Sequence, residues 1–272
     1  MRNRKLMLGL TVLLISLVFT FVGPRLARYG PFEYAVGPLG AAPSAEHWFG
    51  TTTFGQDVFS QFVHALGATF LVGAVGGGLA TVIGMVVGFV AGYRGGIVDE
   101  VLNMITNIVL VIPTLALLLI IAAYLSVRGV MVEALFIGFT SWPWAARAIR
   151  AQTFSLRSRD FVDLARLSGM KSHKVIFGEI APNMSSYLFM TFILMFGGAI
   201  LIAATLDFIG LGPTDTMSLG WMMNNAVAWS AMYLGQWWWF VPPGAAITLI
   251  VGALYITNVG LDEVFNPRLR EL

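Results

Sequence analysis

Six apolar runs punctuate this chain, each close to the roughly 20 residues that a helix needs to cross a bilayer. They are Leu6–Val22, Leu66–Tyr93, Val101–Leu125, Val130–Ala146, Met184–Leu206 and Val241–Asn258. A backbone in hydrocarbon must bond its own N–H and C=O groups, which favours helices for runs of this length. The expected fold is therefore an all-α integral membrane protein with six transmembrane helices. The second run carries no charge and exceeds the minimum length, so tilt is expected. The fourth is the shortest, with Glu133 near one end and Pro143 near the other.

Composition agrees. Hydrophobic residues make up 57% of the chain and charged residues 11%, against about 25% charged in soluble domains. Few basic residues flanked by membrane-length runs speak against nucleic-acid binding. The absence of cysteine excludes disulfides and thiolate metal sites. Arg2, Arg4 and Lys5 precede the first run, as in a signal peptide. That run is too long for a signal h-region, and the following GPRLARYG lacks a small-x-small cleavage site, so it reads as a retained span.

Loop charge orients the bundle. With six spans, one side receives the N-terminus, Arg94, the loop Arg147–Lys174 and the tail with Arg268 and Arg270. That is thirteen of the sixteen Lys and Arg residues; only Arg25, Arg28 and Arg128 fall opposite. Positive charge stays cytoplasmic, which gives an N-in, C-in topology. The outer side then holds a Gly- and Pro-rich segment from Gly23 to about residue 65, and another from Gly212 to about Phe240. The run Trp237–Trp239 before the last span suits an interfacial aromatic belt better than substrate stacking. The chain divides into a first span with its outer segment (1–65), a membrane domain (66–262) containing a cytoplasmic loop (147–182), and a tail (263–272).

Within that loop, Asp160 can cap a helix, with Asp163 three residues on and near the positive helix end. Phe161, Leu164, Ala165 and Ser168 share a face at helical spacing, and Gly169 can close the helix. Ser172 can begin a second helix that should stop before Pro182. Such a hairpin either packs on its own bundle or offers an apolar knob to a partner, and pattern alone does not choose.

The segment resembles the EAA loop of ABC-transporter permeases, E-A-A, three residues, G, nine residues, I-x-L-P. Asp163, Leu164 and Ala165 take the first three places, Gly169 the glycine and Pro182 the proline. Asp replaces Glu, Leu the first Ala, Glu179 the Ile and Ala181 the Leu. HWFGTTTFGQDVFSQ (47–61) is similar to the H-x-x-G-T-D-x-x-G-R-D-x-x-S-R block of the second, C-type permeases of dipeptide, oligopeptide and nickel importers. His47, Gly50, Thr51, Gly55, Asp57 and Ser60 match, while Thr52, Gln56 and Gln61 replace Asp, Arg and Arg. LDFIGLGPTDTMSLGWMM (206–223) resembles the L-S-F-L-G-L-G…P…W-G-x-M region, with Gly220–Trp221 in reversed order. The ending keeps Asn266-Pro267-Arg268-Leu269-Arg270 of the D-P-R-L-R tail.

The resemblance implies a type I ABC importer permease fold and an ATPase-coupling role for Asp160, Phe161, Asp163, Leu164, Ala165, Gly169 and Pro182. It also implies a second homologous permease, two cytoplasmic ATPase subunits and an extracytoplasmic solute-binding protein. ATP and Mg are expected on the ATPases, and no cofactor on this chain, which has no G-x-x-x-x-G-K-[ST] phosphate loop. The translocation path is expected between the two permeases along the second and fifth spans, with Gly73, Gly77, Thr81, Met195 and Thr205 as candidates. Gly73, Gly84, Gly88 and Gly92 also suit close helix packing. His47, His64 and His173 lack ligand spacing. Glu133 and Asp207 are expected near the outer interface in a solvated structural role. Peptides are the favoured solute, with oligosaccharides and nickel open. Other classes are a stand-alone ion-coupled carrier, disfavoured by the scarcity of deep titratable groups, and a non-transporting scaffold.

Overall fold

The computed structural model describes residues 3–124 and 128–265. The C-terminal Asn266–Arg270 block, its basic residues, Arg2 and Leu125 lie outside the described residues. Among those described there is no strand, only an isolated bridge between Thr51 and Asp57.

Helix α1 (Arg4–Leu26) starts where the Asn3 side chain accepts the Lys5 and Leu6 N–H groups. Helices α2 (Val58–Val72) and α3 (Gly78–Arg94) are joined by a π-helical turn at Gly73–Gly77 into one 37-residue rod. The rod begins eight residues before the apolar run because Asp57 caps it, accepting the Ser60 N–H. Helices α4 (Gly96–Val111) and α5 (Thr114–Tyr124) meet at a 73° bend, at Ile112–Pro113. Pro113 has no N–H with which to continue the ladder. Helix α6 (Val130–Leu156) runs through Pro143. Beyond it come α7 (Asp160–Leu167), α8 (Ser172–Val175), α9 (Ala181–Asn183), α10 (Ser185–Phe208), α11 (Leu219–Ala228) and α12 (Trp237–Phe265).

Four of these units are long and apolar enough to span a membrane: α1, the α2–α3 rod, α10 and α12. The α4–α5 pair makes a fifth if the bent pair is one span. The expectation of six is corrected in this respect. Pro113 divides the third run, and the fourth lies in a helix that also carries Glu133, Arg147 and Arg150.

Close packing follows the glycines. A Cβ on Gly84, Gly88 or Gly92 would collide with Ala145, Ile149 or Thr153 of α6. This four-residue ladder lets α3 and α6 approach closely, as small residues do in membranes. Gly9 and Gly260 do the same between α1 and α12. The contacts also order the helix ends. Asn3 bonds Gly260 and Glu263, and Gly95 meets Arg157, beside the basic loop. At the opposite end Trp238 Nε1 donates to Thr51 O, and Thr214 N–H donates to Arg128 O. There residues 35–57 form a lid held by a buried His47 Nδ1–Asp57 pair at 2.9 Å.

Candidate functional site

The loop motif folds into α7 and a glycine stop. Asp160 is the first helical residue, and Arg159 holds the cap position without a side-chain bond, so the expected Asp160 cap is corrected. Asp160 and Asp163 both lie in the first turn, where the helix dipole favours anions. The helix ends at Gly169, φ +74, in a left-handed conformation. Gly169 N–H bonds Arg166 O and Met170 N–H bonds Ala165 O, the paired bonds of a Schellman stop. Only glycine adopts this φ without strain.

The predicted apolar face is divided. Val162 and Ala165 are buried against Phe89, Ile149, Val175, Ile176, Ile180 and Met184, with Phe161 half-buried beside them. Leu164 is 65% exposed and Leu167 86% exposed, with Met170 and Phe177 also open. One side of α7 therefore grips the bundle while the other projects apolar surface outward. Packing on the chain's own bundle accounts for one side of the helix, and the other side carries exposed apolar residues. Leu167, Met170 and Phe177 were not singled out from the sequence, although Leu164 and Leu167 are three residues apart on the same helix. Arg166 lies over the Tyr93 ring at 5.0 Å and pairs loosely with Asp163 at 3.3 Å, both exposed.

Pro182 does not end the second helix. A π-turn at Ile176–Ile180 precedes it, and the Ala181 N–H reaches back to Ile176 O. The wider turn accommodates the residue that lacks an N–H, and helix resumes through α9, breaks at Met184, and continues as α10. The loop is thus coupled to α10 by a nearly continuous helical shaft.

The path candidates scatter. Gly73 and Gly77 press on Phe196 of α10, and Thr81 is buried with its hydroxyl bonded to Gly77 O. Met195 is half-buried, while Thr205 is exposed with its hydroxyl bonded to Leu201 O.

Asp207 is 3% exposed, correcting the solvated reading. The chain folds back so tightly that a Cβ on Gly212 or Gly220 would collide with the Asp207 side chain. Ser218 Oγ donates to Asp207 Oδ2, and the Glu133 carboxyl lies beside the pair. Both Glu133 oxygens and Asp207 Oδ1 are buried without a donor among the described residues. Deeper in α6, Arg150 forks onto Asp99 with two bonds, whereas Arg147 donates to the neutral Asn107 Oδ1 at 2.7 Å. Among the described residues no group of His, Cys, Asp and Glu could hold a metal.

A multi-span helical bundle with a helical hook at its basic end is the architecture of a membrane permease. The sequence profile of the binding-protein-dependent transport system inner membrane component matches residues 84–271, and the chain belongs to this family. It is 30% identical over 275 residues to the oligopeptide transport system permease protein OppC of Mycobacterium bovis, covering 100% of this chain and 93% of that one. The same figures hold for OppC of Mycobacterium tuberculosis. A Brucella suis protein with a provisional peptide-permease name is 31% identical over 98% of this chain and 88% of its own. The chain is accordingly a multi-pass inner-membrane permease subunit of an ABC importer, of the C-type branch.

Proposed function

We propose that this chain is one half of a peptide-conducting pore, driven from the cytoplasm through α7. The observation that carries the reading is the two-sided α7, anchored inward through Val162 and Ala165 and offering Leu164 and Leu167 outward. Two ATPase subunits seat on that outer side, and their closure on ATP pushes α7 against the shaft leading to α10. Asp160, Phe161, Asp163, Ala165, Gly169 and Pro182 shape and hold the hook rather than forming its outermost contact. A second homologous permease completes the pore, a solute-binding protein delivers solute from outside, and exposed α1 faces lipid. Peptide as the solute is supported by the names of the relatives. Six crossings with both termini inside are supported by the ordering of helix ends: α4–α5 leads from Arg157 toward Thr214, and α6 leads back.

A buried Leu is worth about 1.5–3 kcal/mol, whereas an exposed charge pair gives about 0–1 kcal/mol. The double variant Leu164→Ala/Leu167→Ala should therefore release the ATPase more than Arg166→Ala does. Co-purification from detergent and ATP-driven uptake in proteoliposomes rank the variants directly. Full assembly and uptake by the leucine variant, with loss in Arg166→Ala, would make the contact electrostatic and overturn this account.

A further inference from the structure

Arg147 stands out among the charges of the bundle. The sequence places it at the start of the basic loop, but α6 continues to Leu156, so that Arg147 lies nine residues before the helix end, about 13.5 Å along the axis at 1.5 Å per residue. It is exposed, and its bond goes to an amide. Asp99, at the start of α4, is occupied by both bonds from Arg150. Among the described residues Arg147 makes no ion pair, although Glu100 lies on the same face of α4 as its partner Asn107, and charges on membrane-crossing helices characteristically face a polar cavity.

The adjoining face of α4 is polar in the same register. Glu100, Asn103 and Asn107 recur at three- and four-residue spacing and share one open face of α4 with Met104, Ile108 and Val111.

A further observation lies at the far end of this face. The helix breaks at Ile112–Pro113, and Val111 is 82% exposed, Ile112 41%. Non-helical backbone at membrane depth is tolerated where it is buried in protein or borders a water-filled cavity. Here it is not buried by its own chain. Broken helices of this kind mark solute sites in other transporters.

We infer that the α4 stripe lines the translocation path and that Arg147, aimed by Asn107, takes the carboxylate of the passing solute. Charge selects the occupant: a fixed cation held by a neutral amide keeps its full attraction for an anion, and guanidinium matches carboxylate with two parallel bonds. The inference rests on the peptide-importer reading and gives it a specificity residue. Arg147 is a binding residue in this role, and Asn107 a positioning residue.

The test uses the reconstituted complex with its partner subunits and compares ATP-driven uptake of tri-alanine with that of its C-terminal amide. The intact complex should prefer the free acid, and Arg147→Gln should reduce the acid-to-amide ratio about tenfold or more, as for loss of a charge-assisted bond. Arg147→Lys keeps the charge without the fork and should fall between. Because the readout is a ratio within one variant, a general loss of transport does not imitate the effect. If Arg147→Gln takes up neither probe, Asn107→Ala decides, since it leaves the charge and loosens its aim; its ratio should fall, and an unchanged ratio overturns the inference. An intact complex without acid preference, or an Arg147→Gln ratio equal to wild type, also overturns it. That last result is expected if the guanidinium serves a lipid phosphate or an acid of the second permease, because acid and amide then decline together. Failure of the wild-type complex to take up either probe with ATP would instead overturn the peptide reading itself.

Discussion

At residue scale, Asp207 carries a buried carboxyl with a donor on one oxygen only. Ser218 supplies Oδ2, while Oδ1 and both Glu133 oxygens face one another without a donor among the described residues. An amide at position 207 would keep an acceptor for Ser218 and add an N–H₂ that Glu133 can accept. Asp207→Asn should therefore leave thermal stability in detergent unchanged or raise it. Asp207→Ala removes the acceptor, strands the Ser218 hydroxyl and leaves a void, at a cost of about 1–3 kcal/mol. Melting curves of the two purified variants check the order. Equal loss in both would mean that charge at this position, rather than hydrogen bonding, holds the outer ends of α6 and α10. The sequence flagged both acids as unusual. It did not show that Gly212 and Gly220 close over one of them, because burial here arises from a chain reversal that hydropathy does not encode.

At the scale of elements, the lid segment explains substitutions that look unrelated along the chain. Thr52, Gln56 and Gln61 stand where the family pattern has Asp, Arg and Arg. All three are buried in mutual contact: Gln61 Nε2 donates to Gln56 Oε1 at 3.1 Å and Thr52 Oγ1 to the same oxygen at 3.4 Å. The three neutral side chains thus form one hydrogen-bonded cluster at positions where the family pattern carries charged residues. Gln56→Arg alone should bury an unpaired charge, costing about 3–5 kcal/mol, and lower the yield of folded protein. Thr52→Asp added to it should recover much of that loss, as read by protease resistance and melting temperature of the double variant. No recovery would mean that residues 52 and 56 are independent. Other elements were legible directly. The Gly169 stop and the glycine ladder of α3 follow from local chemistry, since positive φ and close backbone approach each require glycine. Residue spacing predicts a stop before Pro182, whereas a π-turn, invisible to spacing, absorbs the proline. The division of the α7 face was not legible, since which apolar residues point inward depends on Phe89 and Ile149, far away in sequence.

For the whole molecule, the open matter is how many times the chain crosses, and charge and geometry bear on it separately. Helix length and apolarity give four spans, or five with the bent pair. Yet the ends of α4–α5 and α6 reach opposite poles of the bundle. Gly95 meets Arg157 at the basic end, and Arg128 bonds Thr214 at the other. Helix α6 can cross despite its charges because α3 covers one side, Asp99 pairs Arg150, and Arg147 bonds Asn107 of α4. A re-entrant α4–α5 would return Arg128 to the side of Ser172; a crossing places it with Tyr233, which is 95% exposed on the opposite loop. The chain has no native cysteine, so single replacements report without background. An impermeant maleimide applied to intact cells should label Tyr233→Cys and Arg128→Cys, while Ser172→Cys should label only after the membrane is opened. Labelling of Ser172→Cys from outside would reverse the orientation drawn from the basic residues. Protection of Arg128→Cys with labelling of Tyr233→Cys would keep the orientation but reduce the crossings to four, turning α4–α5 into a re-entrant hairpin and removing α6 from the bilayer.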